Sequence, residues 1–233
     1  LFFANYGPNG LFRNPGGPGS WEDVAPALGL AEDGRYDTCI WADVDDDGRP
    51  DLYVNGTVTG GVSYRDRLLR RGDGAFVDIT PPSVLELAAD HGATWVDYDL
   101  DGDQDLALTG AGEDGMHLLM RNLLRPEISA RGFHVRVVDG EGHATRPGAE
   151  VRVYAAGSRR LLATRLVDTG SGYDAQSDVP LHMAVRGGQA VDVEVALPVG
   201  GQRRTDRLEG LDPAAFRGRV LEIRVDGEGR IVR

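Results

Sequence analysis

One nine-residue pattern, D-x-D-x-D-G-x-x-D, occurs twice and limits what this chain can fold into. The first copy is Asp43-Val-Asp45-Asp46-Asp47-Gly48-Arg49-Pro-Asp51, and the second is Asp97-Tyr-Asp99-Leu-Asp101-Gly102-Asp103-Gln-Asp105. A tryptophan stands two residues ahead of each (Trp41, Trp95), and each runs straight into an apolar stretch, Leu52-Tyr-Val54 or Leu106-Ala-Leu108. Carboxylates spaced this tightly repel one another unless a cation sits among them. Alternating acids, a glycine for the sharp turn and a closing aspartate make an oxygen cage. Calcium suits such a cage, because it takes six to eight oxygens at about 2.3–2.6 Å in flexible geometry. The spacing therefore predicts two Ca2+ sites as the chain's cofactors.

The expected side-chain ligands are Asp43, Asp45, Asp47 and Asp51 in the first loop, and Asp97, Asp99, Asp101 and Asp105 in the second. The carbonyls of Arg49 and Asp103 are expected to add one oxygen each, and Asp46 to point outward. A solvated acidic turn is the plain alternative, but it gives no reason for the same spacing to recur. An EF-hand needs a bidentate acid at position 12 and flanking helices; here that position is Val54 or Leu108, inside a strand-like run. Dockerin-like modules fail on the same ground. A structural calcium that pins a turn is the expectation, since a catalytic one needs an open coordination position facing a pocket.

The two loops lie 54 residues apart, and a second shared piece follows each: Arg67-Leu-Leu-Arg70-Arg71 and His117-Leu-Leu-Met-Arg121-Asn122. A third instance, Gly10-Leu-Phe-Arg13-Asn14, lies upstream. Runs of four to six residues bounded by Gly, Asp or Asn read as strands. Four short antiparallel strands in about fifty residues make the blade of a β-propeller. Residues 1–30 read as the latter part of one blade, 31–85 as a complete second, and 86–122 as the start of a third. Pro81-Pro82 begins a connector with one helical turn.

From Leu124 onward the pattern changes to clean alternation, as in Phe133-His-Val-Arg-Val-Val138, Ala149-Glu-Val-Arg-Val-Tyr154, Val191-Asp-Val-Glu-Val195 and Leu221-Glu-Ile-Arg-Val225. Such strands should have one buried and one wet face. Asp212 is placed to cap a single helical turn over Pro213–Phe216. The charge is split at the same place. Residues 1–122 hold 22 acidic residues against 8 arginines, while 123–233 hold 15 against 17. The fold class expected is all-β: partial β-propeller blades with calcium loops over 1–122, then a small β-sandwich or barrel-like domain over 123–233.

Composition narrows function mainly by exclusion. No basic stripe offers itself to a phosphate backbone, so nucleic acid is not an expected partner. No apolar run reaches the ~18 residues of a membrane span. Every basic residue is arginine, which removes lysine Schiff-base chemistry. Cys39 is single and lies in an apolar strand-like run, as a small buried residue would. The five histidines (91, 117, 134, 143, 182) form no metal-binding spacing, and neither a phosphate loop nor a G-x-S-x-G nucleophile elbow is present. His134, on an alternating strand, reads as a surface or satisfied histidine. No pair of carboxylates is singled out for acid–base work.

The loops with their W-x-D and L-x-R-N flanks resemble FG-GAP/VCBS repeats, the calcium-loop blades of integrin-α-type propellers. The second half resembles the ASPIC/UnbV domain through Arg146-Pro-Gly148-Ala-Glu-Val-Arg-Val153, Gly170-Ser-Gly-Tyr173-Asp-Ala-Gln176, Leu181-His182 and Val191-Asp-Val-Glu-Val-Ala-Leu-Pro198. The combination is similar to the cartilage acidic protein family and its bacterial relatives. This sequence departs from them in having only two and a half repeats, in Leu197 where tryptophan is frequent, and in Ala175 where serine is frequent. The resemblance implies a secreted or periplasmic binding or adhesion module with a protein or carbohydrate ligand. It also implies an alternative, a calcium-dependent accessory or cyclising enzyme of bacterial natural-product (enediyne-type) biosynthesis, for which Tyr173, Gln176 and His182 would be the residues to test. Two and a half blades leave strand edges open, to be covered by further N-terminal blades or by another copy of the chain.

Overall fold

Short runs rich in Val, Leu, Tyr and Trp between Gly, Asp and Asn turns give strands rather than helices. A computed structural model describes residues 1–17, 19–85, 87, 91–111, 115–168, 170 and 180–232. Their strands are β1 (Phe2–Phe3), β2 (Tyr6–Pro8), β3 (Gly10–Arg13), β4 (Glu22–Asp23), β5 (Asp33–Ala42), β6 (Asp51–Gly56), β7 (Val58–Thr59), β8 (Val62–Ser63), β9 (Arg67–Arg71) and β10 (Phe76–Asp78). After these come β11 (Gly92–Val96), β12 (Asp105–Ala111), β13 (Met116–Met120), β14 (Gly132–Asp139), β15 (Glu150–Ala155), β16 (Leu161–Leu166), β17 (Leu181–Ala184), β18 (Val191–Val199), β19 (Gln202–Leu211) and β20 (Val220–Val225). Among the described residues helix is confined to single turns, including Pro82–Leu85 and Pro126–Ser129, and to a 3-10 turn at Pro213–Phe216. Asp212 caps that last turn, its carboxylate accepting from the Ala214 amide. The all-β expectation holds, and no helix among the described residues is long and apolar enough to cross a membrane.

The first half forms three blade-like sheets: β1-β3-β4, then β10-β9-β6-β5 with β2 added at its edge, then β11-β12-β13. The middle sheet is buried on both faces. Leu52 and Val54 of β6 pack with Phe2, Leu30 and Tyr36 on one side, while Tyr53 packs with Ile40, Trp95, Leu106 and Leu108 on the other. A register irregularity between Tyr36 and Thr38 re-phases β5. Before it Tyr36 faces the first sheet; after it Ile40 and Ala42 face the third. One extra residue is enough to exchange the faces of a strand. The two loop tryptophans each face the preceding sheet but differ in burial. Trp95 is buried edge-on to Tyr53, whereas Trp41 stays partly exposed between Phe2 and Phe76. Cys39 is only half-buried, against the same cluster as Phe2.

The second half is a sandwich of two sheets, β17-β14-β20 and β16-β15-β18-β19, with β14 and β20 running parallel. Their inner faces meet in one valine-rich core that includes Phe133, Val135, Val153, Met183, Val193 and Ile223. Strands β15 and β20 alternate buried and open positions as expected. Strand β14 does not: its outward residue His134 is buried as well. The reason is what covers that face. His134 and His182 are direct cross-strand partners on β14 and β17, and the two acidic loops press against them.

Candidate metal centre

Each acidic loop is the turn between the first two strands of a blade, β5 to β6 and β11 to β12. The two turns are built alike, residue for residue. Asp43 accepts from the amides of Asp47 and Gly48, both at 2.8 Å, and Asp97 accepts from those of Asp101 (3.1 Å) and Gly102 (2.9 Å). Asp51 accepts from Val44 and Arg71, and Asp105 from Tyr98 and Asn122. Both turns need left-handed backbone at the same two places: Asp46 and Gly48 in the first (φ 51° and 88°), Leu100 and Gly102 in the second (57° and 102°).

This backbone gathers Asp43, Asp45 and Asp51 so that one carboxylate oxygen from each lies within 4.8 Å of the others, and it gathers Asp97, Asp99 and Asp105 likewise. The remaining expected ligands are turned to arginines. Asp47 accepts from Arg49 at 2.8 and 3.0 Å and lies 3.6 Å from Arg186, while Asp101 accepts from Arg121 at 2.8 Å. Arg49 also reaches Asp73. Asp103, counted from sequence for its carbonyl alone, buries its carboxylate and accepts from the Leu124 amide.

Burial raises these acids first, and like charges add to it. Asp43 is pushed up to about 7 by burial and by Asp46, Asp103 to about 7, and Asp51 and Asp97 to about 6. Asp45 and Asp105 move in the same direction. A carboxylate kept from water ionises readily only when positive charge is supplied. Two observations fit a hard cation here: the gathered donors are all oxygen, and Asp45 Oδ1 and Asp103 Oδ1 are buried without a hydrogen-bond partner. Asp43 and Asp51 spend one acceptor position per oxygen on backbone amides, and a carboxylate has about four in all, so coordination remains open to them.

Asp46 does not point outward. It is fully buried, and its Oδ1 shares a hydrogen bond with His182 Nε2 at 2.8 Å, while its backbone carbonyl accepts from Arg131 at 3.3 Å. The loop lies against the second sheet at this position, and the equivalent Leu100, which has no such cover, is exposed. His182 Nδ1 lies 3.4 Å from His134 Nε2, which in turn lies 3.7 Å from Asp97 Oδ2. Burial holds both imidazoles neutral, His134 down at about 4 and His182 at about 3. Arg165 comes within 4.0 Å of Asp43. His134 and Arg165 carry no sequence signal for this role. Asp46 does carry one, an acid where the second copy has leucine.

Of the residues the resemblance offered for chemistry, Tyr173 and Gln176 lie outside the described residues. His182 is described, and both its ring nitrogens are engaged. It borders a cleft of about 1300 Å³ whose walls also include Trp41, Trp95, Arg165 and Leu181.

Two of the blade-like sheets thus carry matched turns, each gathering three carboxylates that could hold a metal ion. The model of the FG-GAP-like repeat matches residues 1–54, which include the whole first loop. No curated protein matches the chain.

Proposed function

We propose that this chain is a calcium-binding module of extracellular, adhesion type, in which calcium is structural. The carrying observation is the gathering of Asp43, Asp45 and Asp51, and again of Asp97, Asp99 and Asp105, into oxygen cages in an FG-GAP-like setting. When bound, the cation supplies positive charge to carboxylates that burial otherwise disfavours as anions. Asp43, Asp45 and Asp51 hold it in one loop and Asp97, Asp99 and Asp105 in the other. Asp47, Asp101 and the carbonyls of Arg49 and Asp103 are the candidates to complete each shell. The loops then fix the turns that join the inner strands of two blades.

The remaining parts of the reading are a division into blades over 1–122 and an ASPIC/UnbV-like β domain over 123–233, a secreted or periplasmic location, and a protein or carbohydrate ligand. Separate apolar clusters in the two halves support the division. The enzyme alternative has less behind it, because His182 has no nitrogen left for a substrate. Calorimetry with calcium and with chelator tests the proposal. Calcium should raise the melting temperature, and Asp43→Ala with Asp97→Ala should abolish the rise. Identical curves for the unmodified protein with and without calcium overturn it.

A further inference from the structure

Both acidic loops rest on the same rung of one strand pair. His134 of β14 and His182 of β17 face each other across the ladder. His182 holds Asp46, between the first-loop ligands Asp45 and Asp47, and His134 lies against Asp97, a ligand of the second loop. His182 Nε2 lies 2.8 Å from Asp46 Oδ1 and its Nδ1 3.4 Å from His134 Nε2, and that same His134 nitrogen lies 3.7 Å from Asp97 Oδ2. A row of polar groups therefore runs Asp46, His182, His134, Asp97, its last step a close approach rather than a hydrogen bond. A second span runs beside it: the Asn122 side-chain amide donates to the Val44 carbonyl of the first loop at 2.9 Å and to the Gln104 carbonyl of the second at 3.2 Å. The backbone adds a third point of closeness, since a Cβ on Gly132 of β14 would collide with the Gly102 carbonyl and with His182 Cε1.

We infer that the two cation loops are energetically coupled, with His134 and His182 as the positioning residues that carry the coupling between them. The inference rests on the calcium reading above and extends it. Filling one loop fixes the carboxylates that lean on the histidine pair. Through those carboxylates the first ion also orders the histidine rings they touch, so the other loop meets a platform already in place and loses less freedom on binding. Coupling of this kind between sites is reciprocal and typically amounts to about 5–150-fold in affinity.

The experiment is a set of calcium-binding isotherms by calorimetry on the whole chain. Asp45→Asn silences the first loop and Asp99→Asn the second, so each remaining site is measured alone. The expected result is that the product of the native protein's two stepwise association constants exceeds the product of the single-site constants by about tenfold. In the His134→Phe background that excess should fall below about threefold, with Asn122 left to carry the remainder. His134→Gln, which keeps a donor toward His182, should retain more of it and serves if the phenylalanine variant does not fold. A purely structural histidine would lower the melting temperature and leave the ratio unchanged. No excess in the native protein, or an excess untouched by both His134 variants, overturns the inference. Absence of any calcium binding in the native protein overturns the calcium reading instead.

Discussion

Asp46 and His182 are 136 residues apart in the chain and meet at 2.8 Å, carboxylate Oδ1 to imidazole Nε2, in a site closed to solvent. The contact joins the first acidic loop to the outer face of the second half. Its consequence for stability is asymmetric. His182→Ala removes that partner and leaves Asp46 buried without another for its side chain. Near neutral pH burial keeps both groups uncharged, and leaving a buried polar group without its hydrogen-bond partner costs about 1–3 kcal/mol. We expect a loss of about 2 kcal/mol in urea denaturation of the metal-free protein. Asp46→Asn keeps an acceptor for Nε2 and tolerates the left-handed backbone, so it should cost under about 1 kcal/mol. Equal losses for the two variants would show that the contact is not what holds this site.

Calcium should act on stability by mass action. At about a hundred times its dissociation constant, a ligand that binds only the folded state adds about 2.7 kcal/mol per site. Extracellular modules bind calcium at about 10⁻⁴–10⁻³ M, so roughly 10 mM approaches that regime at the tighter limit. For a chain of this size 1 kcal/mol corresponds to about 2–4 °C, and scanning calorimetry should show a rise of several degrees. Asp66→Asn is the control. Asp66 is buried beneath Tyr53 and the Gly56 amide, away from both loops. It should lower the melting temperature while leaving the calcium-induced rise intact.

Much of this was legible in the residues, and what was not has a physical cause. A repeat, a loop and a strand are local patterns, so the paired D-x-D-x-D-G-x-x-D turns, the blade units and the alternating second half can be read in order along the chain. Asp46 could not be placed this way. Within its own loop it is one more acid between ligands, and its burial depends on a strand that closes over it 136 residues later. His134 sits at a position whose alternation assigns it to water, and a loop from the other half covers it instead. Likewise the arginines drawn to Asp47 and Asp101 come partly from near the loops and partly, as Arg186, from far away. Periodicity reports which face a residue takes, not what arrives to cover that face.

Proton linkage gives a further test, best read in chelator. The folded-state values of Asp43 and Asp103 at about 7 and of Asp46 at about 8 lie above the unfolded carboxylate value. Between those values the folded state binds more protons than the unfolded state, so stability falls as pH rises. His134 and His182 act in the opposite sense, because their folded values of about 4 and about 3 are depressed. Their contribution grows with pH only up to the unfolded histidine value near 6.5 and is flat above it. The window from about pH 6.5 to 8 is therefore governed by the aspartates. Metal-free protein should lose stability across it, as read from the urea midpoint. Calcium needs the deprotonated ligands, so its stabilising increment should grow over the same window. A metal-free midpoint that rises between pH 6.5 and 8 would contradict the buried-acid account.

Gly132 tests whether the second loop depends on the close approach of β14. A Cβ there would collide with the Gly102 carbonyl and lie 2.6 Å from His182 Cε1. Gly102 has little room to move aside, because its Cα faces the Ser129 carbonyl. Gly132→Ala must therefore push the second loop and the histidine pair apart. Overpacking of this kind costs about 1–3 kcal/mol, and calcium affinity should fall further at the second loop than at the first. Gly227→Ala is the matched control: nothing lies within 4 Å of an added Cβ, and no left-handed backbone is required there. It should leave both affinities and the melting temperature unchanged. If Gly132→Ala lowers stability but leaves second-loop affinity as it was, the loop's geometry is set within its own blade, and β14 merely covers it.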